Sequence, residues 1–279
     1  MSNKMEQFQI KMATPFIIFL LFNLFSYAQN LLNNPESVVF DPANERYIIS
    51  NWGDGGIVQI DSLGNQTYFS DTLLNKFKVA GLYIYGDTLL AAAGDAPNAG
   101  LFGFNLKTDK QIFHIILPDI GLPNDITSDK QGHIYVTDYW GDKLYKVVNR
   151  IPSVMIQEGL NYPNGLFYDQ NKDRLLILSV MGKGAPVFSI DLTDSSLKTL
   201  VETGLVGGTD GITMDEKGNI YISEWEGDNI YKFSKGLSEL PVIYSSGHND
   251  PADIYFDDIN GLLVIPNFGS NSIDFIPIK

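Results

Sequence analysis

Two segments of the chain, ITSDKQGHIYVTDYWGDKLYKV at 126–147 and ITMDEKGNIYISEWEGDNIYKF at 212–233, are versions of one pattern. Each reads as a strand, a turn that begins with Asp and reaches Gly, a second strand, a further turn and a third strand. Four more copies follow the same order, one clear and three looser: 38–61, 82–105, 166–191 and 254–276. The chain therefore contains six repeats.

The spacing of the repeats predicts the fold. They recur every 40 to 46 residues, and such a period with several short strands is typical of a β-propeller blade. Further strand-like segments, which follow the first five copies, supply a fourth strand for each. We predict an all-β fold, a six-bladed β-propeller; an open two-sheet sandwich is the alternative, but it does not explain the regular period. The last repeat ends without a fourth strand, and residues 30–34 could pair there to close the ring.

The first 28 residues differ from the rest. Lys4 and Lys11 precede the apolar run FIIFLLFNLF at 16–25, and small residues follow up to Ala28. This order is typical of a signal peptide, and the run is shorter than the roughly 20 residues of a membrane span; an uncleaved anchor is the alternative. We expect a signal peptide at 1–28, a single propeller domain at 29–279, and a periplasmic or extracellular protein.

Composition narrows the class of partner. The formal net charge is −14 and there is no Cys. The negative charge would repel nucleic acid and anionic membrane surfaces, and without Cys the fold must hold by its core alone. We expect a monomer that acts on a small molecule, with no nucleic-acid partner and no membrane association once the signal peptide is removed.

The residue just before the innermost strand carries a side-chain oxygen in four repeats: Glu36, Asn124, Asn164 and Asp210. In a propeller these positions lie around one mouth of the central channel, so equal phase becomes spatial proximity. Two carboxylates and two amides are hard oxygen ligands, which suit Ca²⁺, Mg²⁺ or Mn²⁺. The alternative is a set of ordinary polar turns, since Asn-Gly, Asp-Gly and Asn-Asp are common turn pairs.

These motifs, NPESVVFD, LPNDITSD, YPNGLFYD and GTDGITMD, resemble those of the senescence-marker/regucalcin/gluconolactonase family of six-bladed propellers over residues 33–279. The resemblance implies a divalent metal bound by Glu36, Asn164 and Asp210, calcium first, with magnesium, manganese or zinc as alternatives. It implies that Asp210 is also the catalytic general base and that Asn124 helps to hold the substrate or the metal-bound water. Some lactonases of this family have an Arg at the position that is Leu122 here, so the substrate does not carry over.

Aromatic residues are expected around the same mouth. The loops after the second strands contain Trp52, Trp140 and Trp225, whose rings could stack on a sugar ring or a lactone; packing between blades is the alternative. His248 precedes the last inner strand and could also reach the substrate.

The leading hypothesis is a secreted enzyme, a metal-dependent hydrolase of a sugar lactone or a related cyclic ester. The alternative is a non-catalytic propeller that binds a small molecule or a partner protein. A lyase on the same scaffold is a third possibility.

Overall fold

The computed structural model describes residues 29–181, 184–205, 208–234, 237 and 240–278. The expected signal peptide at 1–28 lies outside these residues. Every regular element in the described ranges is a β-strand. Among these residues no helix has the length and hydropathy needed to cross a membrane.

The strands fall into six antiparallel sheets, which are the six predicted blades. The first three blades are β1 (Pro35–Asp41), β2 (Arg46–Asn51), β3 (Ile57–Asp61) and β4 (Gln66–Ser70); β5 (Val79–Tyr85), β6 (Thr88–Ala93), β7 (Gly100–Asn105) and β8 (Gln111–Ile116); β9 (Pro123–Ser128), β10 (Ile134–Asp138), β11 (Lys143–Val148) and β12 (Ile151–Ile156). The last three are β13 (Pro163–Asp169), β14 (Arg174–Ser179), β15 (Pro186–Asp191) and β16 (Leu197–Glu202); β17 (Thr209–Met214), β18 (Ile220–Glu224), β19 (Asn229–Phe233) and β20 (Val242–Ser246); β21 (Tyr255–Asp257), β22 (Leu262–Asn267) and β23 (Ser272–Pro277). The predicted all-β, six-bladed β-propeller is confirmed.

The second strand of a blade shows why the repeats pack as a ring. In β14, Leu175 and Ile177 belong to the apolar cluster shared with blade 3, whereas Leu176 and Leu178 belong to the cluster shared with blade 5. Successive side chains of a strand point to opposite faces, so a strand between two blades must be apolar on both. Burial on both faces explains why the apolar residues LLIL of β14 follow one another without a polar residue between them.

One apolar cluster fills each junction between neighbouring blades, including the junction of blade 6 with blade 1. At that last junction the Asp253 N–H donates to the Glu36 carbonyl oxygen at 2.9 Å. The ring is therefore closed around a central channel.

Residues 30–34 help to close the ring, although they form no strand. Asn30 Nδ2 donates to the Asn271 carbonyl, the Asn34 N–H donates to Asn271 Oδ1, and Asn34 Nδ2 donates to the Phe268 carbonyl. Leu32 lies in the apolar cluster between blades 1 and 6. The sheet of blade 6 has three strands, so this segment joins the two blades through side chains rather than by strand pairing.

Candidate active site at one mouth of the channel

A backbone irregularity lies at the start of the innermost strands. The pairing of β1 with β2 shifts register between Pro35 and Val38, and that of β17 with β18 shifts between Thr209 and Ile212. Equivalent shifts occur in blades 2, 3 and 4. Each shift spans the second and third residues of its innermost strand. In four blades the second residue is the one that the repeat phase singles out, such as Glu36 or Asp210, and the two residues together are called a pair below. A β-bulge redirects side chains, so the bulges explain how these pairs come to face the channel.

Hydroxyl side chains support the bulges from the second strand. The Ser37 N–H donates to Ser50 Oγ at 2.9 Å, and the Gly211 N–H donates to Ser223 Oγ at 2.7 Å. Thr137 does the same in blade 3. The hydroxyls satisfy backbone N–H groups that the bulge removes from the ladder, which buried donors require. The sequence signal for this support is the Ser or Thr next to last in the second strands of blades 1, 3 and 5, and our sequence reasoning missed it.

Four of the predicted site residues form one ring, which we call the mouth ring: Glu36, Asn124, Asn164 and Asp210. All four line a cavity of 510 Å³ at one end of the channel, and each is at most 7% exposed. Asn164 Nδ2 donates to the Thr209 carbonyl at 3.4 Å, which leaves its Oδ1 available as an acceptor. The repeat phase thus brings together side chains from four different blades.

The two carboxylates of the mouth ring have unsatisfied oxygens. Glu36 Oε2 and Asp210 Oδ1 are buried and have no hydrogen-bond partner. Burial, and then the nearby Asp210, raise the pKa of Glu36 well above its usual value. Burial, followed by the charge of Asp253, raises the pKa of Asp210 to about 8, while a hydrogen bond from Asn164 acts in the opposite direction. Both acids are therefore difficult to ionise without a counter-charge.

The second residues of the same pairs form a deeper layer. We call its polar members, Ser37, Asp125 and Asp253, the channel ring. Ser37 Oγ donates to Asp253 Oδ2 at 2.6 Å, and Asp125 accepts from the Leu166 N–H at 2.5 Å. Asp125 and Asp253 line the cavity of 680 Å³ at the opposite end of the channel. The two rings therefore lie one behind the other along the axis.

Glycine occupies the equivalent second position in the other three blades. A Cβ on Gly211 would overlap the Ile254 nitrogen of blade 6, and one on Gly165 would overlap the Asp210 carbonyl of blade 5. Gly81 faces the backbone of Asn124 in the same way. The absence of a side chain lets the inner strands approach closely, and this keeps the mouth ring narrow.

The mouth ring fits a hard divalent cation. A cation would satisfy the two orphaned carboxylate oxygens and compensate the burial and the repulsion that raise their pKa values. Carboxylate and amide oxygens are ligands of Ca²⁺ and Mg²⁺. No group of three or more His, Asp or Glu side chains within the described ranges is arranged to hold a metal ion. A cation here would therefore depend on the amide oxygen of Asn164 as well as on the two carboxylates.

Aromatic rings form the wall above the mouth ring. Trp52, Trp140 and Trp225, together with Tyr139 and Phe268, line the cavity. Trp140 is 63% exposed and meets the Tyr139 ring edge-on at 4.9 Å between centroids. Trp225 packs against Phe268 at 4.6 Å. The three predicted tryptophans thus reach the cavity and are only partly used for packing between blades.

The structure places His248 elsewhere. It is buried and does not line the mouth cavity. Its Nδ1 pairs with Asp274 Oδ2 and its Nε2 with Ser245 Oγ, both at 2.9 Å. Both ring nitrogens are therefore engaged between blades 5 and 6, and we leave His248 out of the proposed site.

The cavity wall contains no cationic side chain among the described residues. Leu122 occupies the position at which the resemblance has an Arg in some lactonases, and it lines the cavity. Arg46 and Arg174 pair with Asp side chains elsewhere, and Arg150 lies over Phe113. Lys78 Nζ lies 4.6 Å from the ring centroid of Trp52, which lines the cavity.

Comparison with known proteins gives three kinds of match. Residues 99–264 match the family model described as the SMP-30/Gluconolactonase/LRE-like region. A pentonolactonase from Haloferax volcanii is 22% identical over 213 residues, which are 74% of this chain and 71% of that protein.

Two examples of solved structures with the same fold follow. A gluconolactonase from Xanthomonas campestris aligns with a TM-score of 0.73 at 13% identity, covering 90% of this chain and 88% of that one. The calcium-binding protein regucalcin from Agrobacterium tumefaciens aligns with a TM-score of 0.67 at 15% identity, covering 85% and 83%.

Proposed function

This chain belongs to the SMP-30/gluconolactonase/LRE-like family, and we propose that it is a metal-dependent hydrolase of a sugar lactone or a related cyclic ester. Family membership supports a lactonase activity, and a pentonolactonase and a gluconolactonase are among the proteins it resembles. Metal dependence, with calcium as the first candidate, is our own extension.

One observation carries the metal proposal. Glu36 and Asp210 each present a buried carboxylate oxygen with no partner, and they do so in the same ring. Leaving such a group unpaired costs about 1–3 kcal/mol, and more when it is charged. If these residues served only as polar turns, we would expect their oxygens to have hydrogen-bond partners. The carboxylate of Asp125 has such partners, the Ile126 and Leu166 N–H groups.

The residues divide the chemistry between them. A divalent ion held by Glu36, Asn164 and Asp210 would polarise the lactone carbonyl and stabilise the charge that develops on its oxygen. Asp210 accepts a proton from the attacking water as the water oxygen bonds to the carbonyl carbon. The ring C–O bond then breaks, and the proton passes to the departing alkoxide oxygen. Asn124 orients the substrate across the ring.

The test is metal add-back. Metal-stripped protein is titrated with Ca²⁺, Mg²⁺, Mn²⁺ or Zn²⁺ by calorimetry, and hydrolysis of six-membered lactones is followed by acid release in a pH-stat. We expect stoichiometric binding of one ion and recovery of turnover on the same titration curve. Product formed in ¹⁸O-labelled water should contain one labelled oxygen, as hydrolysis requires and a lyase reaction does not.

Two variants sharpen the test. Glu36→Gln removes one ligand charge and should weaken metal binding by at least tenfold. Asp258→Asn is the matched control, because Asp258 is an exposed acid at the opposite mouth; it should bind metal like the wild type. Turnover that is independent of the ion would refute metal dependence. Failure of every ion to bind, together with no turnover, would favour a non-catalytic binding propeller.

We also propose that the protein is exported and acts in the periplasm or outside the cell. Support comes from the basic start and the short apolar run at 16–25, which are typical of a signal peptide. Cell fractionation and amino-terminal sequencing test this; the mature chain should begin at Gln29. A mature protein that retains residues 1–28 would contradict cleavage.

A further inference from the structure

We infer that the mouth cavity selects uncharged lactones with an apolar substituent over polyhydroxylated ones. This inference rests on the proposed function and narrows its substrate class. It follows from three properties of the cavity wall: its apolar surface, the shortage of free polar groups on it, and the sign of its charge.

Apolar side chains surround the mouth ring. Leu122, Val180 and Met181 line the cavity beside the aromatic residues described above. Met181 is 67% exposed and Trp140 is 63% exposed, so both present apolar surface to the solvent in the absence of a ligand. A substituent that covers them removes this surface from water, which is favourable in proportion to the area buried.

Polar groups of the wall are few and mostly engaged. Thr209 Oγ1 donates to the Ser179 carbonyl at 3.3 Å, and Asn164 Nδ2 donates to the Thr209 carbonyl. The remaining oxygens of the mouth ring are acceptors, which a cation would use. A sugar lactone brings several hydroxyl groups, and each one buried without a partner counts against binding. The aromatic wall offers them isolated indole and phenol donors, and Glu226 is an exposed acceptor at the rim.

The charge of the wall excludes another class of substrate. Glu226 is exposed on the rim, and Glu36 and Asp210 lie below it, whereas no Lys, Arg or His is found among the described lining residues. Lys78 lies against the ring of Trp52 but does not line the cavity. A phosphorylated or carboxylate-bearing lactone would meet a negative field without a cationic partner. The described part of the wall therefore favours an uncharged substrate.

The size of the cavity fits a substituted ring. At 510 Å³ it lies within the range of small-molecule sites. A bare six-membered lactone would occupy only its floor, above the mouth ring. An alkyl or aromatic substituent would extend from the floor along Trp140 and Met181.

A matched series of substrates tests the inference, because all members share one six-membered lactone ring. The series consists of unsubstituted δ-valerolactone, δ-decalactone with its alkyl chain, and D-glucono-1,5-lactone with its hydroxyl groups. We expect kcat/KM for δ-decalactone to exceed both others by at least tenfold in the metal-loaded protein. A tenfold preference for gluconolactone would overturn the inference and leave the proposed hydrolase standing.

A binding measurement keeps the inference testable if no lactone is hydrolysed. The quenching of tryptophan fluorescence is titrated with δ-valerolactam and with its pentyl-substituted form, which are non-hydrolysable analogues of the same ring. Tighter binding of the pentyl form by at least tenfold supports the inference independently of turnover. Equal affinity for the two lactams would overturn it. Absence of turnover with all three lactones would instead count against the proposed function.

Substitution locates the preference on the wall. Trp140→Ala should reduce the ratio of kcat/KM for δ-decalactone to that for δ-valerolactone by at least threefold, because the exposed indole ring covers the substituent. Tyr85→Ala is the control: this tyrosine is 47% exposed and ends the innermost strand of blade 2, away from the mouth. It should leave the ratio unchanged. An equal change in both variants, or none in Trp140→Ala, would contradict placement of the substituent on this wall.

Discussion

The mouth ring and the channel ring occupy adjacent positions of the repeat, yet they differ in how their carboxylates are satisfied. In the channel ring, Asp125 accepts from the Ile126 and Leu166 N–H groups, and Asp253 accepts from Ser37 Oγ. In the mouth ring, Glu36 and Asp210 each keep an oxygen without a partner. Both layers are buried and acidic, so burial and charge alone do not distinguish them.

The difference separates structure from function. An acid whose oxygens are bonded to a neighbouring blade fixes the relative positions of the blades, and its hydrogen bonds contribute to the stability of the fold. An acid with a free buried oxygen costs stability until something binds it. The first kind should be sensitive to substitution in unfolding experiments, and the second in turnover experiments.

The largest expected effect is on turnover. Asp210→Asn keeps the shape of the side chain but removes the proton acceptor and one ligand charge. Positioned general bases contribute about 10²–10⁴-fold, so kcat on the best lactone should fall by at least about 10³-fold. The measurement is kcat in the pH-stat with saturating metal.

The same variant should not lose stability in the metal-stripped state, because a buried and repelled acid has been replaced by a neutral amide. Urea unfolding of the stripped proteins provides this control. Turnover within tenfold of the wild type would remove Asp210 from the chemistry. A large loss of stability would place it with the structural acids instead.

The next effect is a dependence of stability on pH in the stripped protein. Burial raises the pKa of Asp210 to about 8 and that of Asp253 to about 7, from a usual value of 3.8. Between pH 4 and these values the folded state holds protons that the unfolded state has lost. The free energy of unfolding therefore falls as pH rises, by up to about 1.4 kcal/mol per pH unit for each group.

Unfolding in urea from pH 4 to pH 9 measures this slope. It should be steepest between pH 5 and pH 7 and should flatten above pH 8, where both states are ionised. Saturating Ca²⁺ at pH 8 should restore the part of the stability that is lost through Asp210, because the cation favours the ionised form of this ligand in the folded state. If the stability of the metal-stripped protein is constant over this range, the pKa values of these carboxyl groups are not raised in the folded state.

A smaller effect is expected from the channel ring. Asp125→Ala leaves the Leu166 N–H without its acceptor at the junction of blades 3 and 4. The unpaired donor should lower the free energy of unfolding by about 1–3 kcal/mol. Burial raises the pKa of Asp125 well above its usual value, so the folded state holds this carboxyl group protonated at low pH. Urea unfolding is therefore measured at pH 5, where removal of the acid relieves little electrostatic repulsion.

Asp258→Ala is the matched control for Asp125→Ala, since it removes an exposed acid near the same end of the channel. It should change stability by less than about 0.5 kcal/mol. If Asp125→Ala is as stable as this control, the channel ring is not a structural layer and the comparison of the two rings loses its basis.

Much of the fold follows from the sequence because a local pattern and a long-range period agree. Unbroken apolar runs, as in β14, identify residues buried between blades, and the recurrence every 40 to 46 residues gives the number of blades. The phase of Glu36 and Asp210 within the repeat is enough to place them in one ring.

The details of the site do not follow from the sequence in the same way. The bulges, the Ser50 and Ser223 hydroxyls that support them, and the division into two rings depend on backbone register and on contacts between blades. Residue type shows that Asp125 and Asp210 are acids, but only packing decides which of them keeps a free oxygen. The spacing of the repeats gives the position of a residue near the start of a strand but not the direction of its side chain. For this reason the sequence suggested that His248 could reach the mouth of the channel.

His248 provides the smallest expected effect and the sharpest check on that lesson. Its two nitrogens bond to Asp274 and Ser245, so His248→Gln should lower the free energy of unfolding by about 1 kcal/mol and leave kcat/KM on every lactone within twofold of the wild type. Unfolding in urea and initial rates measure the two quantities, with the exposed Leu240→Ala variant as a control for surface change. A selective rise of KM in His248→Gln would mean that the histidine contacts substrate, and then the side chains that bind it would extend beyond the cavity above the mouth ring.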